Sequence, residues 1–212
     1  MITVRGKVMS VRTVRQFATI CALALALPVG AAQAIETDTT FSIDVVADCN
    51  RFITEGVPHP ANPDFGDFFM QEGLIYEGGT FEANCPETRD CGLAADGTPE
   101  FPEQVIGKWT CYGSFVGQGI DTAEGTWLYS TQIYEFDVEE LADDVFEAGR
   151  NLLVSHGPER IDLDVPFLRA ITGGTGRFQR STGQVEQTKI GFNATTCENF
   201  TFAFDLRPAR QP

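Results

Sequence analysis

The sequence predicts an all-β protein: about eight short strands in one closed antiparallel barrel or sandwich, with a single short surface helix. Three observations carry that expectation. Apolar and polar residues alternate with period two in stretch after stretch, the pattern of a strand with one buried face. Clusters of glycine, proline and asparagine punctuate the alternation at short intervals. The alternating stretches are rich in Trp, Tyr, Phe and Thr, which suit a pleated surface.

Taken in order, TTFSIDVVAD (39–48) puts Phe41, Ile43, Val45 and Ala47 on one side and Ser42, Asp44 and Asp48 on the other. GVPHPANPDFG (56–66) reads as loop, and DFFMQEGLIY (67–76) as a second strand ending at a Glu-Gly-Gly turn. Residues 82–104 form an irregular acidic insertion holding Cys85 and Cys91. Strands resume over 106–116 and 125–137. DVEELADDVFEAG (137–149) is the one helical pattern, with Val138, Leu141 and Val145 three and four apart. Strands over 152–156, 165–172, 183–192 and 199–206 complete the set. Neither an internal repeat nor a linker divides the chain, so one domain is expected over 35–206, with a tail at 207–212.

The glycine-rich ITGGTG (171–176) admits two structures, a dinucleotide-binding loop or a tight turn between strands. A dinucleotide fingerprint needs a helix behind the glycines, an acidic residue roughly 20 positions on, and further βα units. The residues after Gly176 carry strand patterns instead. Gly173, Gly174 and Gly176 are therefore expected to shape a turn, and no cofactor is expected.

Residues 1–34 carry Arg5, Lys7, Arg12 and Arg15 and no acid, then an apolar run over 17–29, then Ala32-Gln33-Ala34. That order is a secretory signal peptide. The apolar run is short for a membrane span, and Cys21 lies too early in it for lipid attachment. A secreted or periplasmic protein with no membrane anchor after cleavage is expected. Cleavage removes four of the 15 basic residues and none of the 30 acids, taking the formal charge from −15 to −19. Such a surface repels phosphate backbones, so nucleic acid is not an expected partner. Calcium-loop, H-x-x-H and C-x-x-C patterns are missing, and no metal is expected. Outside the cytoplasm disulfides are permitted. Cys85 and Cys91, flanking the turn-rich CPETRDC, are the best local pair. Cys49, Cys111 and Cys197 are left unassigned, one of the five being necessarily spare within the chain. His59 and His156 sit in no nucleophile motif.

FLRAITGGTGRFQRSTGQV (167–185) resembles the signature of the allene oxide cyclase and dirigent superfamily, A-I-x-G-G-T/S/A-G-x-F/Y followed by G-A-x-G-x-V. LLVSHGPERIDLDVPFLRAITGG (152–174) and GDFFMQEGLIYEGG (66–79) are similar to further family patterns, so the resemblance covers most of 40–206 and is weakest through the insertion. It implies an eight-stranded antiparallel barrel of calycin type with a lipocalin-like cavity and no cofactor. It also implies either cyclase or isomerase activity or the holding of a reactive molecule in one conformer, and a homotrimer, the common state of plant members. The plant cyclases' acid and amide positions fall on Val45 and Ala47, and their second-strand asparagine on Gly73. Allene oxide cyclase chemistry is therefore not expected. Arg180 and Ser181 also depart from the family turn.

If Val45 faces inward, parity places Phe41, Ile43, Ala47, Phe69, Gln71, Gly73, Ile75, Trp109, Cys111, Phe115, Gln132, Tyr134, Phe136, Phe200, Phe202 and Phe204 in the interior. Gln71, Trp109, Gln132, Tyr134 and Phe202 are the expected contacts for a hydrophobic small molecule in the cavity. The barrel could equally be plugged by its own rings, leaving a structural or interaction protein. Phe68, Met70, Leu74 and Tyr76 fall on the outward face of the second strand, an apolar surface suited to self-association.

Overall fold

The computed structural model describes residues 39–54, 57–58, 65–116, 128–137, 151–160 and 162–208. Nine strands run in chain order: β1 (Thr39–Thr54), β2 (Val57–Pro58), β3 (Phe68–Glu77), β4 (Val105–Phe115), β5 (Leu128–Phe136), β6 (Asn151–Glu159), β7 (Phe167–Gly174), β8 (Ser181–Phe192) and β9 (Glu198–Pro208). Sequential neighbours pair antiparallel and β9 returns to β1, so eight strands close into a barrel. β2 only adds a two-residue pairing to the end of β1. Closure leaves no edge for a foreign strand to extend. The expected all-β barrel is what the chain forms.

Strand parity follows the alternation. Phe41, Ile43 and Val45 pair with Phe204, Phe202 and Phe200 across the β1–β9 seam, and Trp109 and Cys111 with Tyr134 and Gln132 across β4–β5. All lie in one interior core except Phe41, which is partly buried against it, and the polar Gln132. Gly73 faces inward between Ala47 and Trp109. A Cβ there would overlap the carbonyl oxygen of Val46, so glycine lets β3 approach β1 where the wall bends. β1 loses register between Asp48 and Phe52, a bulge that holds Cys49. Cys49 is joined to Cys197, in the β8–β9 loop, with Cα atoms 5.2 Å apart, and Asn193 Nδ2 donates to Ala47 O at 2.8 Å beside it.

The insertion is less irregular than its composition suggests. It contains a short helix, α1 (Thr80–Asn84), and a 3-10 turn (Pro102–Gln104), and Cys85 is joined to Cys91 with Cα atoms 6.5 Å apart. It folds back over the outside of the barrel, where Phe81, Cys91 and Leu93 build a second small core on Val46, Tyr76 and Ile190. Barrel side chains hold it. Asn199 Nδ2 donates to Arg89 O and Cys91 O at 2.7 and 2.8 Å, the Tyr76 hydroxyl donates to Gly92 O, and Asp44 accepts from Phe81 N–H and Thr201 Oγ–H. Burial raises the Asp44 carboxyl pKa against those hydrogen bonds. This corrects the reading of the β3 outer face. Tyr76 is buried and Leu74 packs beside it under the chain's own insertion, which leaves Phe68 as the exposed member of that set.

The ITGGTG stretch ends β7 and enters a three-residue 3-10 turn (Gly176–Phe178) before β8. Strands flank it on both sides. Gly176 has φ +57° and Arg180 φ +67°. Gly174 is not left-handed. A Cβ at Gly174 would stand 2.6 Å from Leu152 O and 2.7 Å from Phe178 O, so close approach is what excludes a side chain. The helix expected over 137–149 lies outside the described residues except Asp137.

Candidate functional site in the barrel interior

The interior is layered. At the end where β1 begins, Phe41 stacks on Phe204 at 4.7 Å, and Phe178, delivered by the glycine turn, packs on Phe136 at 5.1 Å. The Arg177 guanidinium lies over the Phe178 and Phe136 rings at 4.8 and 5.4 Å, capping that end. At mid-height Tyr134 meets Phe202 and Phe204 edge-on at 5.3 and 5.1 Å, and Trp109 lies 6.0 Å from Phe200. Toward the other end Phe69 packs on Phe115 at 5.2 Å.

A connected polar cluster runs through these layers. Arg169 on β7 and Glu159 on β6 face inward with 0 % and 4 % of their side chains exposed, and Arg169 NH1 lies 3.0 Å from Glu159 Oε1. The guanidinium is fully engaged: Nε donates to Ser155 Oγ at 3.1 Å and NH2 to Ser130 O and Oγ at 3.0 and 2.9 Å. Such saturation is what keeps a buried charge in an apolar barrel. Glu159 Oε1 also accepts from Ser130 Oγ, from Gln132 Nε2 at 2.9 Å and from the Cys111 thiol at 3.4 Å. Gln132 Nε2 further donates to Gln187 Oε1 at 3.0 Å, and its Oε1 accepts the Tyr134 hydroxyl. Burial, chiefly, pushes the Tyr134 phenol well above its ordinary pKa, so it serves as a neutral donor. Burial first, then the Glu159 charge, raises the Cys111 thiol and makes it a poor nucleophile.

Of the five expected contacts, Gln132, Tyr134 and Phe202 come together in this cluster. Trp109, opposite Tyr134 on β4, packs against Phe200. Gln71 stands apart: its Nε2 donates to Cys197 Sγ, linking it to the Cys49–Cys197 bridge. All five are buried. Sequence reasoning missed Arg169 and Glu159. The signal was present. Arg169 alternates in phase with Ile171, and Glu159 with Leu153 and Ser155, but the sixth strand was ended at His156, three residues before the acid. Three buried polar atoms, Thr54 Oγ1, Trp109 Nε1 and Gln187 Nε2, have no hydrogen-bond partner among the described residues.

A closed antiparallel barrel in this strand order, with its last strand returning to its first, is an up-and-down barrel. No family model matches the chain, and no curated protein does. Solved structures do. The chain is similar to the pterocarpan synthase dirigent protein PsPTS1 (TM-score 0.54, 16 % identity, 83 % of this chain and 98 % of that one covered). It is also similar to the pterocarpan synthase dirigent protein GePTS1 (TM-score 0.52, 14 % identity, 84 % and 89 % covered). A pyocyanin demethylase matches more loosely (TM-score 0.45, 17 % identity, 80 % and 100 % covered). At these identities the likeness is one of fold.

Proposed function

We propose that the protein is an exported dirigent-like barrel that binds a hydrophobic small molecule carrying a hydrogen-bond acceptor, at mid-height in the barrel. One observation carries this reading: Trp109 Nε1 and Gln187 Nε2 are buried with no hydrogen-bond partner among the described residues. An unmet buried donor costs about 1–3 kcal/mol, so each calls for a partner. A ligand with a carbonyl or ether oxygen would satisfy them. Rings occupy the interior, so binding requires Trp109 or Phe200 to swing aside. A cofactor-free cyclase or isomerase would need a free acid or base, and Glu159 is already committed to four donors. The ring-filled interior itself favours a second reading, a structural scaffold whose barrel is only a stable core.

The signal-like leader and the two joined cysteine pairs support export. Among the described residues no helix is long and apolar enough to cross a membrane. Self-association, with a homotrimer as the form the family resemblance implies, is supported by exposed Phe68, Tyr112 and Tyr129 on the outer face of β3–β5.

Native mass spectrometry of protein purified from its own host tests the ligand. We expect a retained small molecule that Trp109→Phe and Gln187→Leu release without loss of fold. A spectrum showing the bare polypeptide, with no thermal shift from a panel of apolar ketones and ethers, would leave the scaffold reading in possession.

A further inference from the structure

The end of the barrel opposite the Phe178 cap holds a basic group that none of the above employs. Lys189 lies on β8 opposite Phe200, so its side chain starts on the inward face, and only 7 % of that side chain is exposed. Its Nζ sits 4.1 Å from the centroid of the Phe192 ring. The nearest carboxylate oxygen, Glu198 Oε1, is 3.8 Å away, an ion pair too long for a hydrogen bond. The chain leading into β7 runs alongside, with Leu163 bridged to Lys189 and the Asp164 N–H donating to Lys189 O at 2.8 Å. Phe192 and Leu163, 46 % and 53 % exposed, form an apolar rim open to solvent beside the amine.

An amine this far withdrawn from water is set up for nucleophilic use because desolvation outweighs the Glu198 carboxylate and the Phe192 face, both of which favour its charged form. Burial lowers its pKa, opposed by the charges of Glu198 and Asp162, so more of it is neutral at a given pH than for a solvated lysine.

We propose that Lys189 is a carbonyl-capture site, its amine condensing reversibly with an apolar aldehyde held against Phe192 and Leu163. The neutral amine attacks the carbonyl carbon, a C–N bond forms, and the carbonyl oxygen takes up a proton. The carbinolamine then loses that oxygen as water to leave an imine, so amine and aldehyde become imine and water with no change of oxidation state. Solvent at the open mouth carries the protons between nitrogen and oxygen. The site lies at the barrel mouth and is independent of any ligand at Trp109.

The composition makes the test specific, because the chain has three lysines, Lys7, Lys108 and Lys189, and Lys7 lies in the leader. The folded protein, disulfides intact, would be treated with hexanal and cyanoborohydride near neutral pH, and the reduced adducts mapped by peptide mass spectrometry. Labelling at Lys189 should clearly exceed that at Lys108. Unfolding in urea should bring the ratio close to one. Lys189→Arg should remove the adduct and leave Lys108 labelling unchanged. Equal or faster labelling of Lys108 in the folded wild-type protein would overturn the proposal, and that comparison needs no variant to fold.

Discussion

Arg169 shows most plainly how one side chain can govern a core. Its guanidinium satisfies Glu159, Ser130 and Ser155 at once, so its removal strands a carboxylate in a layer otherwise made of rings and amides. We expect Arg169→Met to cost about 3–5 kcal/mol, the cost of uncoupling a buried ion pair. The double variant Arg169→Met/Glu159→Leu should recover most of that loss, because no uncompensated charge is left behind. Urea denaturation of the wild type and the single and double variants measures both. A double variant no more stable than Arg169→Met would mean that the cluster acts through its hydroxyls and amides rather than through charge.

The β7–β8 turn carries the argument at the scale of an element. Gly174→Ala pushes a methyl group into Leu152 O and Phe178 O, and overpacking of that kind costs about 1–3 kcal/mol. Gly176→Ala meets a different penalty, a left-handed backbone, worth about 1 kcal/mol. Both variants should melt lower, Gly174→Ala by more, because its clash also displaces the Phe178 plug. NAD should shift none of the melting curves. A saturable stabilisation of the wild type by NAD, lost in Gly174→Ala, would contradict a turn bounded by strands. The insertion makes the complementary point. Its cysteines and turn residues were legible in the sequence, but the outer core it builds on Val46, Tyr76 and Ile190 was not. Contacts between positions 46, 81 and 190 leave no trace in any local period.

For the whole molecule, the outer aromatic patch has a measurable consequence. Phe68 and Tyr112 lie 6.4 Å apart on neighbouring strands, and Tyr129 is half exposed on the next. We expect sedimentation at micromolar concentration to show self-association that Phe68→Glu and Tyr112→Glu abolish without lowering the melting temperature. These positions are exposed, so the substitutions leave the folded core untouched. A wild-type protein that sediments as a monomer at every concentration would remove the interface.

By itself the sequence determined the class of fold and the inward set of β1, β3, β4, β5 and β9. Period-two alternation is a local property, and parity along a strand converts directly into a face of the sheet. It also placed the glycine turn, since strands on both sides of ITGGTG leave no helix to seat a phosphate. Tertiary structure alone decided three things. It turned Tyr76 from a surface residue into a buried one by laying the insertion over it. It chose a ring-filled interior by bringing Phe178 from the turn and Phe200 from β9 into the same space as Trp109 and Phe136. It made two charged residues internal by bringing the Arg169 side chain to Glu159, a pairing neither strand could reveal. A charge is tolerable inside only when its partner is there, and the partner is specified by closure of the barrel rather than by either local sequence.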